Sequence, residues 1–456
     1  MKKLIYCIAA ACVLSLTSCD NWLDVKPSTN EEEEELFSTE AGFESALTGV
    51  YIGMKTGQLY GENLTMGMLE YMAQHWVANS ADVEGHYSDY DYENIQVESS
   101  IKGVYAGLYN VILNINNLLR YVDNGVLHGV KHDLIKGEAL GLRAFLQFDL
   151  LRLFGPVPGT QDNRKMLAYA TMVTKEPMTV QNWDEYIALL EKDLNEAETL
   201  LKDVDMNTQQ DPFFSYRHNR MNYWAVQALK ARFYLWIQNN AKAKEYAEKV
   251  IKGGWRSLCQ NDDIAQLNDY IASKEHLFSL HVYDLKELTE RFIYRSGGVY
   301  MPENYIRKEL FESDITDVRL NTLWKQVAET SRTRFVLMKY KQSDRTPDYA
   351  AEQIPLIRLY EMYLIMIECS ERTAEYKPLV DELMKARNVS LQIDVDTPEN
   401  KEKFLNLEYN KEFYGEGQLF FQYKRRNAKD ILWSNIEGTK SVYELPIPKT
   451  EIKYKD

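Results

Sequence analysis

The chain has 456 residues and a formal net charge of −15, because 68 Asp and Glu outnumber 53 Lys and Arg. This acidity argues against a nucleic-acid partner, since such binding depends on neutralising phosphates with basic side chains. The 31 Tyr and 8 Trp supply amphipathic rings that serve cores and binding surfaces alike. No linker rich in Pro, Gly or Ser divides the sequence, so we expect one large domain.

The first residues have the pattern of an export signal. Met1-Lys2-Lys3 precedes an apolar run from Leu4 to Leu16, which is too short to span a bilayer as a helix. Leu16-Thr17-Ser18-Cys19 then matches the bacterial lipoprotein box, in which the cysteine thiol receives a diacylglycerol. We therefore predict a signal peptide over 1–18 and a lipid anchor on Cys19 that attaches the chain to a membrane.

An acidic stretch follows, ending in five consecutive glutamates from Glu31 to Glu35. It has no apolar periodicity and is expected to stay solvated. We predict that residues 19–37 act as a tether and that residues 38–456 form the binding domain.

Helical periodicity dominates the rest of the chain. Asn182 is a good N-cap for a stripe of apolar residues from Trp183 to Leu201, and Glu185 completes a capping box. A second stripe, from Ala139 to Leu153, stops at Gly155-Pro156, where the glycine is expected to form a left-handed cap.

Two stretches have the length of helical hairpins. One runs from Asn222 to Lys252 with a break at Asn239-Asn240, and the other from Ile357 to Asn388 with a break near residues 372–377. Both a tetratricopeptide-like array and unrelated helix pairs fit this spacing. Residues 277–282 have strand character, and two prolines keep residues 443–448 extended. The predicted fold class is mostly α with minor β.

The best candidate for ligand binding is the segment from Trp76 to Tyr92, where aromatic rings lie among Asn, Asp, Ser and Gly without a helical period. Such a segment is typical of a recognition loop. Alternatively, the rings pack the loop onto the body of the protein. The candidate residues are Trp76, Asn79, Asp82, Tyr87, Tyr90 and Tyr92.

A second candidate segment runs from Tyr283 to Tyr305. It offers Arg291, Tyr294 and Tyr300 as ligand-binding residues. The alternative interpretation is that Arg291 and Tyr294 belong to the surface of a helix.

Motifs of catalysis and metal binding are incomplete. His128 and His132 have helical spacing but lack the glutamate of a zinc protease. The stretch from Asp203 to Phe214 starts like a calcium loop and then departs from the pattern. We find neither a nucleophile elbow nor a phosphate-binding loop, and we predict no cofactor and no metal. Glycoside hydrolysis by a pair of carboxylates stays an alternative, because the sequence does not determine the distance between any two carboxyl groups.

Several motifs, in order along the chain, resemble those of the SusD/RagB-like outer-membrane lipoproteins. The resemblance runs from just after Cys19 to the last dozen residues. One departure is Leu419, which stands where the family has an arginine after Glu416-Gly417 and so removes an internal ion pair. The matching stretches are Asn21 to Pro27, Arg143 to Pro158, Ile357 to Leu364 and Leu445 to Pro448.

This resemblance implies a single helical domain of tetratricopeptide-like pairs with long ligand-binding loops. It also implies a non-catalytic, surface-exposed lipoprotein of the outer membrane. Such a protein captures a glycan, or in some relatives a peptide, and delivers it to a SusC-like TonB-dependent transporter. A surface glycoside hydrolase is the alternative from another functional class.

Overall fold

The computed structural model describes residues 28–207, 211–330 and 332–452, so the predicted signal peptide and Cys19 lie outside the described residues. The helices are α1 Ser28–Leu36, α2 Glu40–Met54, α3 Met68–Met72, α4 Val83–Ser88, α5 Ile95–Tyr121, α6 Gly129–Phe154, α7 Trp183–Met206, α8 Tyr223–Trp236, α9 Asn240–Gly253, α10 Asn261–Ala265, α11 Leu285–Thr289, α12 Val318–Leu323, α13 Leu359–Cys369, α14 Thr373–Ala386, α15 Pro398–Glu412, α16 Leu419–Arg425, α17 Lys440–Tyr443 and α18 Lys449–Ile452. The strands are β1 His276–His281, β2 Trp324–Ala328, β3 Thr333–Leu337 and β4 Gln353–Arg358.

The fold is mostly helical, and its long helices pack as successive pairs. Helix α6 packs on α7, α8 on α9 and α13 on α14, while α9 joins the last two pairs through α13. Both predicted hairpins are present, the first with its break between Trp236 and Asn240. The second begins at Leu359, because Ile357 belongs to β4, and its break lies between Cys369 and Thr373, before the predicted 372–377. The predicted capping box at the start of α7 is also present, where Asn182 and Glu185 bond each other's backbone.

Helix α6 lies at the centre of the molecule. Every residue from Gly137 to Phe154 is buried, which explains why the helix is apolar on more than one face. It ends at Gly155 as predicted, but the left-handed cap was wrong. Gly155 is extended, with φ −77° and ψ 172°. A Cβ there would lie 2.5 Å from the Leu151 carbonyl oxygen, so close packing against α6 is the reason for the glycine.

Two small antiparallel sheets complete the body. Strand β1 pairs with β4, with Leu280 opposite Ile354, and β2 pairs with β3, with Gln326 opposite Phe335. The predicted strand at residues 277–282 is therefore confirmed. Tyr443, predicted to be extended, is instead the last residue of α17.

Two of the four stretches that carry the family resemblance, Arg143 to Pro158 and Ile357 to Leu364, supply buried ion pairs between elements. Arg143 of α6 lies 2.7 Å from Asp193 of α7. Arg358, at the end of β4, belongs to a larger group that we call the buried ion cluster. It consists of Arg319, Lys339, Arg358 and Arg387 with Glu275, Asp317, Glu408, Glu412 and Glu416.

Helix α1 occupies part of the acidic stretch. Glu32, Glu34 and Glu35 are exposed, as expected for a solvated segment. Phe37, which we assigned to the tether, is only 2 % exposed and stacks on Tyr121 with ring centroids 4.8 Å apart. The packed body therefore begins at Phe37. In the described part of the chain, no helix is both long and apolar enough to cross a membrane.

Candidate ligand-binding site

The two segments predicted to bind ligand meet in the structure. The Val77 backbone N–H donates to the Tyr300 carbonyl oxygen at 3.0 Å. Beside this contact lies a cleft of about 210 Å³, which we call the aromatic cleft. Its lining residues are Gln74, Trp76, Val77, Ala78, Ser80, Gly85, Ser88, Asp89, Met301, Tyr305 and Trp433.

Trp76 forms the floor of the aromatic cleft. Its side chain is 3 % exposed, and its indole N–H donates to the Met66 carbonyl oxygen at 2.8 Å. Tyr414 meets the indole edge-to-face at 5.2 Å and stacks on His75 at 3.8 Å. His75 is fixed in turn by Glu70, 2.6 Å from its Nδ1 atom. The floor is therefore a rigid, buried support.

One wall carries a pair of stacked rings. Tyr305 and Trp433 lie with centroids 5.6 Å apart and an interplanar angle of 14°. The Trp433 indole N–H donates to Glu309 Oε2 at 2.9 Å, which fixes the ring. Both rings are half-buried and so combine an apolar face with a fixed position, as stacking on a ligand requires.

The backbone around the cleft is strained at three non-glycine residues. Gln74, Tyr90 and Trp433 have φ values of 63°, 54° and 63°, in the left-handed region that side chains rarely adopt. The Gln74 amide donates to the Ser88 carbonyl oxygen at 2.8 Å and to the Tyr90 hydroxyl at 3.3 Å. Strain held in place by such contacts is typical of functional sites.

The predicted loop from Trp76 to Tyr92 is partly wrong, because helix α4 forms over Val83–Ser88. Tyr87 and Tyr90 are each 8 % exposed. The Tyr90 hydroxyl donates to the Met72 carbonyl oxygen at 2.8 Å, and burial raises the pKa of Tyr90 to about 12. These two rings, like Trp76, pack the segment onto the body, which is the alternative that the sequence left open.

Tyr92 and the polar candidates lie at the edge of the segment. The Tyr92 hydroxyl donates to the Val442 carbonyl oxygen at 2.5 Å, so this ring holds the end of the segment against α17. Asn79 and Asp82 are exposed and bond each other at 3.1 Å. They flank Ser80, which lines the cleft, and their polar groups are accessible to a ligand.

The second segment contributes through its C-terminal end. Tyr300 is half-buried beneath the Arg332 guanidinium, which lies 4.7 Å from the ring centroid. Arg291 is exposed and Tyr294 is half-buried under Lys341, but neither lines the aromatic cleft.

Of the residues that line the cleft, the sequence predicted only Trp76 as a ligand-binding residue, and it missed both rings of the wall. Tyr305 is the last residue of the second predicted segment, so its position there was the available signal. Trp433 lies in a separate segment between α16 and α17, more than a hundred residues from the others, and no local pattern connects it with them.

Comparisons with known proteins agree with this architecture. Residues 21–235 match the model of a SusD-like family described as starch-binding and associating with the outer membrane. A SusD-like protein of Formosa agariphila is 21% identical, over 93% of this chain and 91% of its own.

Solved structures share the fold. A SusD superfamily protein of Bacteroides thetaiotaomicron superposes with a TM-score of 0.72 at 22% identity, covering 91% of this chain and 98% of its own. Surface glycan-binding protein A of the same organism gives 0.67 at 17% identity, covering 91% and 97%. In sequence over residues 21–235, and in fold over 91% of its length, the chain is similar to SusD-like proteins.

Proposed function

We propose that this protein binds a glycan in the aromatic cleft and catalyses no reaction. The observation that carries the proposal is the meeting of Trp76, Tyr305 and Trp433 in one cleft beside Gln74, Ser80 and Asp89. Aromatic faces suit the C–H surfaces of sugar rings, and amide, hydroxyl and carboxylate groups suit sugar hydroxyls.

The size of the cleft favours partial enclosure of a longer chain. Pockets that enclose drug-sized ligands measure about 300–1,000 Å³, and this cleft measures about 210 Å³. We therefore expect the cleft to bind one end of an oligosaccharide, or one or two of its sugar rings. The exposed Asn79 and Asp82 are placed to contact the next sugar.

The lining favours binding over hydrolysis. Glycoside hydrolysis uses two carboxyl groups, about 5 to 10 Å apart, on either side of the scissile bond. Among the described residues, Asp89 is the single carboxylate that lines the aromatic cleft. A lone carboxylate accepts hydrogen bonds from hydroxyls but does not supply both the acid and the base.

The cellular setting is part of the same proposal. We infer that Cys19 carries the lipid, that the protein is anchored on the outer surface of the outer membrane, and that it passes its ligand to a SusC-like TonB-dependent transporter. The support is the lipoprotein box and the description of the matching family as associating with the outer membrane. Anchoring would keep the bound glycan at high effective concentration beside the transporter.

Isothermal titration of the purified protein against a panel of neutral and acidic oligosaccharides tests the binding. We expect at least one glycan to bind, and we expect Trp433→Ala and Tyr305→Ala each to weaken it about 10-fold, or ~1.4 kcal/mol. Trp255→Ala is the matched control, because Trp255 is half-buried but lies outside the aromatic cleft. Equal affinity in all four proteins would remove the cleft from the proposal.

The same titration separates the competing functions. Saturation by peptides and by no glycan would favour peptide capture, and release of reducing ends from a bound glycan would establish a hydrolase. Mass spectrometry of protein extracted from the membrane tests the anchor. We expect a diacylglyceryl adduct on Cys19 and its loss, with release from the membrane, in Cys19→Ala.

A further inference from the structure

A second cavity, distinct from the aromatic cleft, collects the exposed aromatic side chains of the protein. Among the described residues, three aromatic side chains are more than a third exposed: Tyr216 at 75 %, Tyr283 at 67 % and Tyr349 at 48 %. Tyr216 and Tyr349 line one cavity of about 760 Å³. Tyr283 is linked to it because its ring lies 4.8 Å from the ammonium of Lys55, another lining residue.

We call this cavity the tyrosine groove. It shares no lining residue with the aromatic cleft. It lies beside the C-terminal half of α2, the turn before α8 and the ends of β1 and β4. Its lining residues are Thr48, Tyr51, Ile52, Lys55, Tyr216, His218, Asn219, Arg220, Leu280, His281, Asp348, Tyr349, Ala351, Glu352 and Gln353.

The ring of Tyr216 is presented by a strained and firmly anchored turn. Tyr216 has φ 50° and ψ 43°, a conformation that is unfavourable for a bulky side chain. The next residue, Arg217, bonds Asp205 at 2.6 Å and also pairs with the buried Glu138. Arg220 donates to the same Glu138 at 3.0 Å. These ion pairs fix the backbone of the turn, so the ring of Tyr216 stays exposed to solvent. An exposed position is not expected from hydrophobic burial alone.

Tyr349 is fixed from the opposite side. The Gln353 amide N–H donates to the Tyr349 carbonyl oxygen at 2.7 Å, and Gln353 Oε1 accepts from the Ser279 hydroxyl at 3.2 Å. The single hydroxyl hydrogen of Ser279 is shared with Asn219 Oδ1, which is the nearer acceptor at 2.7 Å. One network therefore connects both walls of the groove, and a preformed site loses less conformational entropy when it binds.

The charges of the groove indicate the class of ligand. Lys55 and Arg220 are matched in number by Asp348 and Glu352, so the groove attracts neither anions nor cations strongly. His218 adds no charge near neutral pH, because burial lowers its pKa to about 4. Exposed rings with polar groups of balanced charge suit an uncharged ligand with many hydroxyls.

We propose that the tyrosine groove is a second carbohydrate-binding site, which takes a neutral oligosaccharide by stacking sugar rings on Tyr216 and Tyr349. The ligand class rests on the proposed function, whereas the position of the site does not. A volume of about 760 Å³ lies within the range of ligand pockets, which favours a small chain molecule over the flat surface of a protein partner.

Calorimetric titration of four proteins with long neutral oligosaccharides (α-glucan, β-glucan, mannan and xylan) tests this proposal. The proteins are the wild type, Trp433→Ala, the double variant Tyr216→Ala/Tyr349→Ala, and the matched double variant Tyr216→Phe/Tyr349→Phe. We expect two sites per wild-type chain; in Trp433→Ala the site in the aromatic cleft should weaken about 10-fold while the site in the tyrosine groove keeps its affinity. The double alanine variant should lose the second site, with affinity reduced about 10-fold or more, while the phenylalanine variant keeps it because the ring faces remain.

The possible outcomes separate the two proposals. If no oligosaccharide binds the wild type, the proposed function fails and this site fails with it. If Trp433→Ala abolishes all binding while both tyrosine double variants bind like the wild type, the groove proposal is overturned and the proposed function stands. Loss of co-purification with an outer-membrane barrel in the double alanine variant, with glycan binding unchanged, would also overturn it in favour of a protein interface.

Discussion

Replacing Glu412 by Gln tests whether the buried ion cluster is the frame of the molecule. The Glu412 carboxylate, 4 % exposed, lies 2.6 Å from Arg358, 2.8 Å from Arg387 and 3.0 Å from Arg319. Burial alone would raise the pKa of Glu412, but the positive charges of Arg387 and Arg358 override it and hold that pKa well below its usual range. The carboxylate is therefore ionised and shared by three guanidinium groups.

The expected loss of stability follows from this geometry. Glutamine has nearly the same shape, but it removes the negative charge and points an N–H₂ group at guanidinium donors. Removing one partner of a buried ion pair lowers the free energy of unfolding by about 3–5 kcal/mol. The entropy of unfolding is about 2.1 cal/mol/K per residue. For the roughly 420 described residues this is about 0.9 kcal/mol/K, so we expect Tm to fall by about 3 to 6 °C.

Differential scanning calorimetry at pH 7 measures this change. Glu248→Gln is the matched control, because Glu248 forms an exposed pair with Lys252 one helical turn away, and such pairs contribute less than about 0.5 kcal/mol. The control should shift Tm by less than about 1 °C. Equal shifts in the two variants would refute the argument that the cluster stabilises the fold through buried charge.

Three further predictions concern other elements of the fold. His276 is buried, which lowers its pKa to about 4. In the unfolded chain the pKa of this histidine is about 6.5, so below pH 6.5 the unfolded chain binds more protons than the folded one. The free energy of unfolding should therefore fall by up to about 3 kcal/mol from pH 6.5 to pH 4. Urea unfolding should show a smaller fall for His276→Gln. Gly417→Ala should lower the free energy of unfolding by more than about 2 kcal/mol in the same assay, since Gly417 has φ +69° and its Cβ would lie 2.1 Å from the Leu64 carbonyl oxygen. Asn182→Ala removes the N-terminal cap of α7, and we expect it to lower the free energy of unfolding by about 1 kcal/mol in the same assay.

The helical frame was predictable because its signals are local. Asn182 and Glu185, three residues apart, form the capping box of one helix. The break at Asn239-Asn240 separates two helices whose apolar patterns can each be recognised from their own residues. The state of Gly155 was not predictable in this way. Its extended backbone depends on packing against Leu151, whereas the sequence shows only that a helix ends there.

The candidate site was predictable only in part. The two candidate segments meet beside the cleft, where Val77 bonds Tyr300, but the burial of Tyr87 and Tyr90 was not visible in the sequence. The residues around a tyrosine in a polar segment are the same whether its hydroxyl is solvated or bonds a carbonyl far away in the chain. The Tyr90 hydroxyl does the latter, because it donates to the Met72 carbonyl oxygen. Trp433 could not be found, because its contact with Tyr305 is made by the tertiary fold alone.

The frame and the aromatic cleft are connected through one short stretch of chain, residues 412–417. At its start and near its end, the side chains of Glu412 and Glu416 enter the buried ion cluster. Between them, Tyr414 turns the other way and lies beneath Trp76.

Glu70 binds the same stretch from the other side. It accepts hydrogen bonds from the backbone N–H groups of Gly415 and Gly417 at 2.9 and 2.7 Å. The cluster therefore fixes the floor of the cleft, whereas the wall residues Tyr305 and Trp433 lie on separate segments outside it. Because Tyr305 and Trp433 carry no charge, we expect substitutions in these walls to have little effect on the stability of the frame.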